Sequence, residues 1–264
     1  MTALENPTPH PTSNPRGLTR DRMAWRVAED IPGGSYVNLG IGMPELVAHH
    51  LPQGKEGPQG KEGPQGKEGP QGKEGAQGKE GDGRQIVFHS ENGILGLGPP
   101  AAQGEEDFDL ISAGKKPATA VPGAAFFDSA DSFAMIRGGH IDIAVLGAFQ
   151  VSESGDLANW TTGGVPAVGG AMDLAQGAKR VFVITDHTTK TGAPKIVKEC
   201  TYPLTGAGVV TVVYTNLAVI DVTAKGLEVR ELVEGLSFEE LQQRTGAPLT
   251  PSPGIKPLLT PLDP

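Results

Sequence analysis

The sequence predicts an α/β fold, an open and largely parallel sheet flanked by helices, and three observations carry that prediction. Between Leu18 and Gly246, short runs rich in Val, Ile and Phe alternate with stretches of helical composition. Several of the runs are apolar almost throughout, as in IDIAVLGAFQ (141–150) and VFVI (181–184), which is how a strand buried on both faces reads. Gly, Asn and Pro cluster where those runs stop, and these are the residues that build turns.

Residues 1–17 are polar and Pro-rich, lack the apolar core of a signal peptide, and read as a disordered arm. LTRDRMAWRVAED (18–30) predicts a helix with Thr19 as N-cap and Asp21 in the first turn. Met23, Val27 and Ile31 recur at i, i+4 and i+8 on its buried face, and Pro32-Gly33-Gly34 ends it. Ser35 to Leu39 reads as a strand, after which Gly40-Ile41-Gly42-Met43-Pro44 turns into a helix from Glu45 to about His50. The two glycines begin a dinucleotide fingerprint, but its third glycine position is Glu45, which argues against a nicotinamide site. Asn38 is a polar residue at a strand end where apolar ones are expected. It is either a turn cap or an amide donor facing the sheet's lip.

From Gly54 to Gly81 glycine falls at every third position, in a GKEGPQ repeat that varies only to GKEGAQ. That is the collagen period, since only Gly fits the axis of a triple helix. Pro occurs only in alternate triplets, however, and each repeat carries one Lys, one Glu and nothing to bury. Residues 53–83 therefore read as a flexible, solvated low-complexity insertion within a domain spanning 18–246. The alternative is a collagen-like interaction protein whose α/β domain is a scaffold.

After the repeat, Ile86-Val87-Phe88 predicts a strand that stops at Ser90-Glu91-Asn92-Gly93. Glu91 then sits just past a strand's carboxyl end, where open α/β sheets bind ligands. A carboxylate there is ionised without help from a base and is able to act as a nucleophile; the other reading is a Glu in a solvated turn. Pro99 to Asp107 reads as a loop, followed by short apolar segments at 109–111 and 118–121. Ser129 to Arg137 predicts a helix closed by Gly138-Gly139, and 141–150 a buried strand. Residues 155–160 form a polar-aromatic loop. A further helix starts at Ala171, directly after Gly169-Gly170, where unpaired N–H groups make either an ordinary helix start or an oxyanion site. Strands follow at 181–184, 209–214, 218–222 and 227–230, and a last helix, opened by Ser237, at 238–244. Residues 247–264 are Pro-rich and read as an extended, disordered tail.

Composition excludes several classes. A formal net charge of −9 with no Lys/Arg-rich patch argues against nucleic acid. No run reaches the roughly 18 apolar residues of a membrane span. The single Cys200 fits a reducing, cytoplasmic setting and reads as inert packing. P-loop and nucleophile-elbow patterns are absent, and the His residues show no metal-ligand spacing.

Five blocks in one order carry a resemblance: SENGILGLGP (90–99), SFAMIRGGHID (132–142), GDLANW (155–160), GGAMDL (169–174) and PKIVKECTYPLTG (194–206). Together they closely resemble the B subunits of the 3-oxoacid CoA-transferases, over about Leu18 to Gly246. The resemblance implies a CoA-transferase-like fold and transfer of CoA from succinyl-CoA to a 3-oxo acid, with acetoacetate the preferred acceptor and 3-oxoadipate the alternative. It implies that Glu91 is the nucleophile and passes through a glutamyl-CoA thioester. Asn38, Gly170 and the adjoining Ala171 would serve the thioester oxyanion, and Ser90, Asn92 and Gly93 would complete the active-site turn. CoA and acyl-CoA would be substrates, with no resident cofactor and no metal, and the partner would be the CoA-transferase A subunit, a separate chain. The repeat block departs from the family, which crosses that point with a short loop.

Overall fold

The computed structural model of the chain describes residues 17–51, 85–164 and 169–258. The Gly-X-Y insertion expected at 53–83 lies outside the described residues, as does the expected N-terminal arm up to residue 16. The elements run α1 (Arg20–Glu29), β1 (Tyr36–Leu39), a 3-10 helix (Met43–His49), β2 (Val87–Ser90), β3 (Ile94–Pro100) and β4 (Ala118–Phe126). Then follow α2 (Ser129–Arg137), β5 (Ile143–Leu146), β6 (Gln150–Ser152), β7 (Leu157–Ala158), α3 (Ala171–Gly177), β8 (Arg180–Thr185) and β9 (Ile196–Val197). The last group is β10 (Val210–Thr215), β11 (Ala218–Thr223), β12 (Gly226–Leu232), α4 (Phe238–Gln243) and β13 (Leu249–Pro257).

One ten-stranded sheet dominates, in the order β13-β12-β11-β10-β8-β5-β1-β2-β3-β4. Its middle, β10 to β2, is parallel throughout. Antiparallel pairings attach β11 and β12 on one side and β3 and β4 on the other. The parallel middle brings the carboxyl ends of β8, β5, β1 and β2 to one edge, and that edge carries the site. Phe182 on β8 packs against Tyr214 on β10 at 5.4 Å between ring centroids, and both are fully buried, as are Ile143, Ile220 and Leu227.

Local chemistry explains the helix starts. The Thr19 hydroxyl accepts from the Arg22 N–H, Asp128 caps α2 through the Asp131 N–H, and Ser237 with Glu240 makes a full capping box on α4. The helix expected over 45–50 is instead the 3-10 turn, bonded by Glu45 N–H to Gly42 O at 3.2 Å and His50 N–H to Val47 O at 3.1 Å. Gly42 supplies no capping side chain, and short uncapped segments commonly take the tighter 3-10 form.

Two further expectations change, and one strand is unanticipated. The strand expected over 141–150 breaks at Gly147-Ala148-Phe149 into β5 and β6, and β6 leaves for a small sheet, β7-β6-β9. Residues 94–100 form β3, an antiparallel return of the Glu91 turn onto β2. The tail expected to be disordered from 247 is instead ordered to residue 258, and β13 pairs in parallel with β12 at the sheet's edge. Buried Leu249 and Leu258 anchor its two ends. Pro251, Pro253 and Pro257 are compatible with this because an edge strand has one side free of ladder bonds.

Candidate active site

The β2 strand runs one residue beyond Phe88-His89 to Ser90, then turns over Glu91, Asn92 and Gly93. The Gly93 N–H closes the turn on Ser90 O at 3.0 Å, and its φ of +111° is open to glycine far more than to any other residue. The Phe127 N–H bonds Gly93 O at 3.0 Å, which ties the turn to the segment leading into α2. Ser90 is buried, and its hydroxyl accepts from the Ala113 N–H at 2.9 Å. Asn92 is exposed and donates its amide to Ile111 O at 2.7 Å.

These contacts set Glu91 on the wall of a cavity of about 790 Å³ at the carboxyl edge of the parallel strands. Asn38, Ser90, Gly170 and Ala171 line the same cavity, so the structure brings those predicted residues together with Glu91. Asn92 and Gly93 do not line it; they build the turn from behind. Burial, and the nearby negative charge of Asp173, hold the Glu91 carboxyl above its ordinary pKa. Asp173 is itself bonded by the Arg137 guanidinium at 2.6 Å, so the repulsion it exerts is partly offset.

Asn38 is buried, and its amide donates both to His89 Nδ1 and to His89 O, each at 3.1 Å. An amide N–H only donates, so His89 Nδ1 carries the lone pair and Nε2 the hydrogen. That Nε2–H then donates to the fully buried Ser132 hydroxyl on α2 at 2.9 Å. His89 is thereby held neutral between β1 and α2, and burial pushes its pKa down to about 4. The Asn38 amide, expected either to cap a turn or to face the lip, is committed in this structure to orienting the strand end beside Glu91.

Sequence reasoning missed His89 because no spacing marks a histidine whose partners lie 51 and 43 residues away. It also missed Lys195, which lines the cavity and donates to the Thr185 hydroxyl at the end of β8. Cys200 is half-buried, and burial pushes its thiol up to about 11, as inert packing requires. Among the described residues no cluster of His, Cys, Asp and Glu is placed to hold a metal, and no helix is long and apolar enough to cross a membrane.

Comparison with known proteins agrees with this geometry. Residues 76–244 match the Coenzyme A transferase family. The B subunit of the 3-oxoadipate CoA-transferase of Acinetobacter baylyi is 55% identical over 235 residues, covering 88% of this chain and 95% of that one. The B subunit of the succinyl-CoA:3-ketoacid coenzyme A transferase of Helicobacter pylori is 46% identical over 230 residues, covering 86% and 97%. In fold, an acyl-CoA transferase of Escherichia coli O157:H7 superposes with a TM-score of 0.65 at 16% identity over 90% of this chain, which spans only 42% of that larger one. A carboxylate turn on the edge of a parallel sheet, five sequence blocks in order and relatives matched along nearly their whole length point the same way: the chain belongs to the coenzyme A transferase family and stands there among the B subunits.

Proposed function

We propose that this chain is the B subunit of a CoA-transferase that moves CoA from succinyl-CoA to a 3-oxo acid through Glu91. The observation that carries the reading is the position of Glu91, partly desolvated on the cavity wall, with the backbone of Gly170 against its carboxylate. A carboxylate stripped of some of its water attacks a carbonyl carbon more readily, and no base is needed to deprotonate it at neutral pH.

The steps balance without an external proton. The Glu91 carboxylate attacks the thioester carbonyl, and collapse of the tetrahedral oxyanion expels CoA thiolate and leaves a mixed anhydride. The thiolate attacks the Glu91 carbonyl of that anhydride, giving a glutamyl-CoA thioester and free succinate. The acceptor's carboxylate then attacks the glutamyl thioester, and the same two displacements in reverse yield the new acyl-CoA and restore Glu91. Oxyanion donors come from the first-turn N–H groups at Gly170 and Ala171, which no intrahelical carbonyl satisfies. Asn38 acts by holding His89 and the strand end, and Ser90, Asn92 and Gly93 by fixing the turn.

For the acceptor, the 55% identity to a 3-oxoadipate enzyme against 46% to a 3-ketoacid enzyme favours 3-oxoadipate, with acetoacetate the second reading. CoA and its esters are substrates, so this chemistry requires no resident cofactor. A separate A subunit is the proposed partner, supported by relatives that are themselves named as B subunits and by Ile41, which is 68% exposed on the cavity rim. The lone Cys200 favours a cytoplasmic setting. Borohydride or hydroxylamine should trap an adduct at Glu91 when acyl-CoA is added to the chain with its A subunit. Retention of full transfer by Glu91→Gln would end the proposal.

A further inference from the structure

The cavity wall carries three Lys or Arg side chains, Arg20, Lys116 and Lys195, and three carboxylates, Glu45, Glu91 and Asp186. Four of the six pair with one another: Arg20 lies 3.6 Å from Asp186, and Lys116 Nζ lies 2.6 Å from Glu45. Two charges remain without an ion pair among the described residues. One is Glu91; the other is Lys195.

Lys195 is placed firmly. Its backbone N–H bonds His187 O at 3.1 Å, and its carbonyl accepts from Val151 N–H at 2.9 Å. Its ammonium donates to the Thr185 hydroxyl, whose own hydrogen goes to Ala148 O at 3.0 Å. That leaves two of its three N–H groups for something else. Asp186 acts on it only from beyond ion-pair distance, and the Arg20 charge opposes that attraction. A half-buried ammonium with no anion in contact is costly, and a bound anion would relieve the cost. Thr185 ends β8 and Glu91 follows β2, with β5 and β1 between them. Three strand spacings of about 4.8 Å set the ends of β8 and β2 roughly 14 Å apart along the sheet edge. Lys195 and Glu91 line the same cavity, so an acyl chain bound in it lies between the two charges.

We propose that Lys195 docks the second carboxylate of a dicarboxylic acyl group whose other carboxyl carbon reacts at Glu91. The inference rests on the CoA-transfer reading and names its substrate class. When donor and acceptor are both diacids, one cation positions the acyl group in each half-reaction. A monocarboxylic acceptor leaves the ammonium unpaired and forgoes that contact.

The test uses the chain assembled with its A subunit. In a ping-pong scheme kcat/KM for each acceptor is independent of the donor, so a 3-oxo diacid and a 3-oxo monoacid are compared directly in the wild type, Lys195→Gln and Lys195→Arg. Lys195→Gln is expected to lower kcat/KM for the diacid roughly tenfold to hundredfold, the loss of one charge-assisted hydrogen bond, through KM and not kcat. The monoacid value stays unchanged, and Lys195→Arg restores most of the diacid activity. Equal losses for both acceptors overturn the inference. So does a loss shared by every CoA thioester whatever its acyl group, which would place the cation against the phosphates of CoA. Binding gives a second readout without turnover: glutarate should bind the wild-type complex about tenfold more tightly than butyrate. Equal affinities overturn the inference even where a variant fails to assemble. A wild type that prefers glutarate but transfers no CoA would defeat the transfer reading alone.

Discussion

A Cβ placed on Gly170 would lie 2.5 Å from Oε2 of Glu91 and 2.9 Å from its carboxyl carbon. Gly170 is required there for space and not for conformation, because its φ is −69°, a value every residue adopts. The start of α3 therefore lies too close to the Glu91 carboxylate to leave room for a side chain. The same Cβ would stand 2.9 Å from the Phe133 ring on α2, so the group that gives way is the Glu91 carboxylate, the far end of a flexible side chain.

Gly170→Ala should consequently fold normally and lose activity. Displacing Glu91 from the N–H groups beside it is expected to lower kcat by about 10²–10³, the loss typical of one misplaced oxyanion donor. The measurement is kcat of the assembled enzyme beside its melting temperature. An Ala variant with wild-type kcat would show that the approach is incidental.

Much of this arrangement was legible in the sequence, and for physical reasons. The turn at Glu91 announces itself because Asn and Gly follow a β-branched run, and the start of α3 because two glycines precede it. Thr19 and Ser237 sit where caps must sit. What escaped was chemistry that depends on distant partners. His89 takes its meaning from Asn38 and Ser132, and Lys195 from Thr185 and from having no carboxylate in contact among the described residues; neither signal is local. The tail misled for the opposite reason. Its local signal, repeated proline, argues against a strand, and only its place at an edge makes the strand possible.

Removal of residues 248–264 should therefore destabilise the domain and not merely trim it. Truncation exposes the apolar flank of β12 and deletes buried Leu249 and Leu258. Each Leu lost from a buried site is worth on the order of 2 kcal/mol. Urea unfolding of full-length and truncated chains checks this, and coincident midpoints would mean that β13 contributes nothing.

Acid should weaken the fold through two buried histidines. Burial pushes both His89 and His187 down to about 4 from an ordinary value of 6.5. His187 bridges the Thr215 and Thr245 hydroxyls at 3.1 and 2.9 Å, so it too is held in a fixed, neutral place. Below pH 6.5 the unfolded chain binds protons that the native one refuses. The stability is thus complete above pH 6.5 and is lost as the pH falls towards 4, by up to about 1.4 kcal/mol per pH unit for each histidine. Melting temperatures across that window should fall for the wild type and fall less steeply for His187→Gln. Parallel curves for the two proteins would show that His187 titrates normally.

The last expectation concerns the join between the first helix and the far side of the sheet. Arg26 on α1 donates Nε to Glu231 Oε2 at 2.8 Å and Nη2 to Oε1 at 2.5 Å, a two-pronged pair with both residues buried. Asp30 continues the network: it accepts from Arg26 at 2.9 Å, from the Tyr214 hydroxyl at 2.7 Å and from Arg230 at 2.5 Å. These contacts hold the Asp30 carboxyl below its usual range although burial alone would raise it. Desolvation of both ions offsets most of the attraction within such a pair, yet removal of one partner strands the other without water or counter-charge. Arg26→Met should accordingly destabilise the chain by about 3–5 kcal/mol, while Arg26→Met combined with Glu231→Leu should recover most of that loss. Chemical unfolding of the two singles and the double, read as a double-mutant cycle, decides the matter. If the double variant is as unstable as the sum of the singles, the pair acts as two independent packing residues and not as a buried ion pair.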